Sequence, residues 1–61
     1  SLNGETPAYH YFRATMLDAM NQPKPALESY RRFLAVSEGK FPDEEWKARQ
    51  RAKLLEKVVK R

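Results

Sequence analysis

The sequence predicts an all-α fold, an antiparallel helical hairpin followed by a third helix. Three observations carry this expectation. Helix formers dominate: among the 61 residues are seven Ala, six Leu and 12 Lys or Arg, with three Val and no Ile. No stretch alternates apolar and polar residues long enough to make a strand. The four Pro and two Gly fall between apolar-periodic runs and divide the chain into segments.

The first helix is predicted over about Pro7–Met20. Thr6 can cap it, and Pro7 at the first helical position loses no needed N–H. Tyr9, Phe12, Met16 and Met20 recur at helical spacing, and Ala14 and Leu17 widen the stripe. Pro23 disfavours helix in the residue before it and ends the segment. Residues 1–6 are expected to be disordered or vector-derived. The second helix is predicted from Pro25 to Ser37, with Ala26, Leu27, Tyr30, Phe33 and Leu34 on one face. Glu28 and Arg32 form an i,i+4 pair away from it. Gly39 is the expected left-handed cap. The third helix is predicted from Pro42 to Lys60, with Asp43, Glu44 and Glu45 at its positive end. Ala48, Ala52, Leu55 and Val59 form its packing stripe. Short loops make sequential helices antiparallel neighbours.

Composition narrows function. Without Cys and with a single His, the chain has no disulfide framework, no structural zinc site and no cysteine nucleophile. There is no Gly-rich phosphate loop and no nucleophile motif. His10 has no Ser, Cys or Asp placed beside it by motif, and is expected to be a partly exposed helix residue. Glu44 and Glu45 are adjacent and point different ways around a helix, so they read as dipole partners. No catalytic residue, metal ligand or cofactor is expected. No apolar run is long enough for a membrane span, and no membrane partner is expected.

The spacing around Ala14 and Ala26 has a further meaning. Small residues at facing points let two helix axes approach, and Leu17 and Tyr30 beside them fill the remaining space. The stretch Tyr11–Phe12–Arg13–Ala14, with Leu17, and the stretch Ala26–Leu27–Glu28–Ser29–Tyr30–Arg31–Arg32–Phe33–Leu34 resemble tetratricopeptide repeats of bacterial type. The pattern departs at His10, Arg13, Phe33 and Glu38, where the family has Trp, Leu, Ala and Pro. The resemblance covers residues 7–40. It implies a repeat hairpin with Ala14, Leu17, Ala26, Tyr30, Phe33 and Leu34 as structural residues, and residues 41–61 as a solvating, capping C-terminal helix of a larger array. It also implies that Tyr11, Thr15 and Asp18, on one face of the first helix, line a peptide-holding groove. The Lys and Asn of the carboxylate-gripping pattern are absent from these positions.

Charge is distributed unevenly. Residues 46–61 carry a net charge of +6 and residues 1–45 a net of −2, within a total of +4. Lys47, Arg49, Arg51, Lys53 and Lys57 make a basic face that a solvated helix, an acidic protein surface or a nucleic acid could use. Nucleic acid is disfavoured, because base-stacking aromatics are missing apart from Trp46. Trp46 lies nearly opposite the packing stripe at about 100° per residue. Its expected role is to close the junction with Phe41, the alternative being a partner contact shared with Leu54. The function expected is non-enzymatic: protein–protein interaction or scaffold assembly, with a protein or peptide as partner. The alternative is self-association as a homodimer, since a lone hairpin leaves apolar surface open.

Overall fold

A computed structural model describes residues 6–60 as three helices, α1 (Pro7–Ala19), α2 (Pro23–Ser37) and α3 (Pro42–Lys60). The all-α class is as expected, and no strand occurs among the described residues. The start assigned to residues 1–6 lies outside the described residues apart from Thr6. That residue caps α1, its Oγ1 accepting the Tyr9 N–H at 3.2 Å.

The turn after α1 explains where it stops. Asn21 adopts a left-handed conformation, φ 60, which Asn tolerates better than most residues. The Gln22 N–H then reaches the Leu17 carbonyl at 2.9 Å and the Asn21 N–H reaches Asp18 at 3.1 Å. This pair of bonds is a Schellman closure and satisfies carbonyls the helix end leaves open. α2 begins at Pro23, two residues earlier than expected. The first turn of a helix has no intrahelical partners for its N–H groups, so Pro23 and Pro25 both fit within it. The Ala26 N–H makes the first helical bond, to Gln22 at 3.1 Å.

α2 is the middle helix and packs against both α1 and α3. Ala14 and Ala26 are wholly buried, as the small-residue argument requires. Leu27, Tyr30, Phe33, Ala48 and Leu55 complete the core, and Tyr11, Leu17, Leu34, Ala52 and Val59 pack half-buried against it. Phe33 is the largest side chain fully enclosed. It touches Tyr11 on α1 (ring centroids 5.0 Å apart) and Phe41 before α3 (6.3 Å). Its bulk fills the end of the molecule where the repeat pattern has Ala.

His10 corrects an expectation. It is buried, against Tyr9 in an edge-to-face contact with centroids 5.2 Å apart. Its position four residues before Ala14 turns it toward α2, where the small residue Ser29 is also buried. At the α2–α3 turn the left-handed conformation falls on Glu38 (φ 50) as well as on Gly39 (φ 83). The carboxylate of Glu45 reaches back over the first turn of α3 and accepts the Phe41 N–H at 3.1 Å. That bond is the main reason its carboxyl titrates below the usual glutamate range, the Ser37 hydroxyl and Gly39 N–H adding to it.

Candidate functional site

Helical periodicity leaves two outer faces uncovered. On α1, Ala14 and His10 face α2, so residues about 180° away point outward. Phe12 and Met16 lie there, with Tyr9 and the C-cap residue Met20 at the margin; all four are exposed, Phe12 at 66%. The charged residues of α1 are Arg13 and Asp18, and Asp18 turns toward α3. The outer face of α1 is thus a row of large apolar side chains with no carboxylate on it.

The outer face of α3 is built differently. Trp46 is 60% exposed, so it does not close the junction as expected. Phe41, itself partly exposed, meets Phe33 instead. A side chain opposite Ala48 and Leu55 has no protein to pack on when α2 is the only helix beneath them. Leu54 and Val58, more than two and three turns further along α3, are exposed as well. A shallow groove lined by Gln50, Lys53, Leu54, Glu56, Lys57 and Lys60 runs along this face. Of the expected basic face, Lys47, Arg49, Lys53 and Lys57 are exposed to solvent.

Arg51 belongs to a separate constellation. Its Nη2 donates to Asp18 Oδ1 at 2.8 Å, and its Nε donates to Oδ2. The arginine is half-exposed and the carboxylate mostly covered. The Arg51 hydrogen bonds hold the Asp18 carboxyl below the usual aspartate range against the opposing effect of burial. The Tyr30 hydroxyl approaches the same carboxylate. Burial, and then the Asp18 charge, push its phenol up to about 12. This trio joins all three helices, and a small open cavity lined by Asp18, Asn21, Pro23, Arg51, Leu55 and Val58 lies beside it. A second ion pair, Arg31 with Glu56, joins α2 to α3.

Of the groove residues expected on α1, Tyr11 and Asp18 are engaged by the other helices and Thr15 only by its own. Tyr11 packs on Tyr30 and Phe33, Asp18 is held by Arg51, and Thr15 donates its hydroxyl to the Phe12 carbonyl at 2.8 Å. The open surfaces are instead the Tyr9–Met20 row and the Trp46–Leu54 side of α3. The first was legible as spacing, the second as the surplus apolar circumference of α3. The Asp18–Arg51 pair had no local signal, because its members are 33 residues apart. Among the described residues no group of His, Cys, Asp and Glu could hold a metal ion. No helix among them is long and apolar enough to cross a membrane. The chain matches no family model, no curated protein and no solved structure.

Proposed function

We propose that the chain is a non-enzymatic helical-repeat module for protein–protein interaction or scaffold assembly, of the tetratricopeptide kind, with α1 and α2 as a repeat hairpin and α3 as its capping helix. The observation that carries this reading is the contrast between the two outer faces. α1 presents large apolar side chains and no carboxylate. α3 presents Lys, Arg and Gln around three exposed apolar side chains, Trp46, Leu54 and Val58. A repeat unit with an apolar side and a charged side is an end unit: the apolar side seeks a neighbour and the charged side meets solvent. The central position of α2, with the α1–α3 link made by Asp18 and Arg51, supports the same reading. So does His10, buried where the pattern has a large residue.

The neighbour on α1 is a helix of a preceding repeat. A second copy of the chain is the rival occupant, favoured by the degree to which Phe12 is exposed. Sedimentation across micromolar to millimolar concentrations tests both. The repeat reading expects weak, reversible association that Phe12→Glu abolishes while the helical circular dichroism stays intact. A tight, closed dimer favours self-association as the role of this piece. A strict monomer throughout overturns both.

A further inference from the structure

The outer face of α3 is more apolar than a purely solvent-facing helix needs. Trp46, Gln50, Leu54 and Val58 follow one another at i+4 steps and form one ridge, of which Trp46, Leu54 and Val58 are exposed hydrophobics. The ridge spans about 18 Å at 1.5 Å per residue. Cations flank it: Lys53 and Lys57 on one side, Lys47 on the other. From Trp46 to Lys60 the one acid is Glu56, which is held by Arg31. Arg51, held by Asp18, is not available to a partner. What remains is an apolar ridge bordered by exposed lysines, with Asp43 and Glu44 one turn before Lys47 and Glu56, paired to Arg31, near Lys53 and Lys57.

We propose that this ridge docks an acidic amphipathic helix of a protein partner. The partner's apolar side chains would pack beside Trp46, Leu54 and Val58, and its carboxylates would face Lys53, Lys57 and Lys47. Charge complementarity selects this occupant. A single row of side chains with grooves on either side is also the relief against which another helix packs. An anionic bilayer fits less well. An interfacial helix buries a broad apolar face in the bilayer, whereas the broad apolar face of α3, with Ala48 and Leu55, is in the core. A nucleic acid would use the cations but leave Leu54 and Val58 without a role. The inference does not depend on what covers α1.

Trp46 is the one tryptophan of the chain, so its emission reports directly on the ridge. The probe is a synthetic helix of roughly five turns with Leu along one face and Glu elsewhere. Its control has Gln in place of Glu. The Glu peptide should shift the emission to the blue, saturably, and bind more weakly as salt rises. The double variant Lys53→Glu/Lys57→Glu should bind about tenfold more weakly or worse. Leu54→Ser should weaken binding of both peptides. All these positions are exposed, and circular dichroism checks that the helices persist. Equal affinity for the Gln control, or unchanged affinity in the charge-reversed variant, would overturn the proposal. So would a response to phosphatidylserine vesicles or duplex DNA without one to the peptide. A blue shift that grows with protein concentration alone would make a second copy the occupant and overturn it as well.

Discussion

Arg51 on α3 grips Asp18 on α1 with two hydrogen bonds, across the helix that separates most of their two elements. The pair is two-pronged, and Asp18 is mostly covered, so it rises above the ordinary surface ion pair. Asp18→Asn should cost about 1 kcal/mol in thermal or urea unfolding. In a double-mutant cycle with Arg51→Met, most of that loss should appear as coupling between the two positions. Asp18 has a depressed carboxyl in the folded chain, so its stabilisation is present above the ordinary value of 3.8 and is lost as pH falls through the folded value. Asn at position 18 should flatten that acid limb. Equal acid sensitivity in both proteins would mean that the pair contributes nothing in solution.

Tyr30 predicts the opposite limb. Its phenol ionises at about 12 in the folded chain, against an ordinary 10.0. Ionisation is thus easier after unfolding. The stability that the neutral phenol contributes is complete below pH 10.0 and declines as pH rises toward about 12. Ultraviolet titration of tyrosinate should show a late component that Tyr30→Phe removes. The same substitution should make unfolding less sensitive to alkali.

The close approach of α1 and α2 rests on Ala14 and Ala26, both fully buried. Ala26→Leu adds three carbons where no space exists. It should cost about 1–3 kcal/mol through overpacking. Arg13→Met, by contrast, changes an exposed position and should leave the melting temperature nearly unchanged. If Ala26→Leu were neutral, the two axes would not meet at these alanines.

What the sequence made legible follows from locality. Pro7, Pro42 and Thr6 act within one turn, and the helix starts they mark are where the chain places them. Pro23 misled because one residue can end one helix and open the next. The burial of Ala14 and Ala26 was readable because small size at two positions facing a neighbouring helix is a local signal. Trp46 was not, since its surroundings depend on how far the loop at Phe41 folds under α3. Tyr11 and Asp18 have the spacing of a groove, yet Phe33 and Arg51 take them up. The first capture depends on the placement of α2 and the second on that of α3, and no periodicity within α1 encodes either.

The last prediction concerns the turn between α2 and α3. Glu38 and Gly39 are consecutive left-handed residues, at φ 50 and φ 83. Glycine adopts this conformation without penalty, whereas a side chain crowds its own carbonyl at a cost of about 1 kcal/mol or more. Glu38→Gly should therefore stabilise the chain by up to about 1 kcal/mol, offset in part by the freer unfolded chain. Gly39→Ala should destabilise it by about 1 kcal/mol. Nothing lies within 4 Å of a Cβ added at position 39, so that cost is conformational and not steric contact with a neighbour. Larger residues at 39 should then lose no more than Ala does. Chemical denaturation of Gly39→Ala and Gly39→Leu separates the two causes: equal losses fit backbone strain, and a much larger loss for Leu would mean that the turn is closed against another part of the fold.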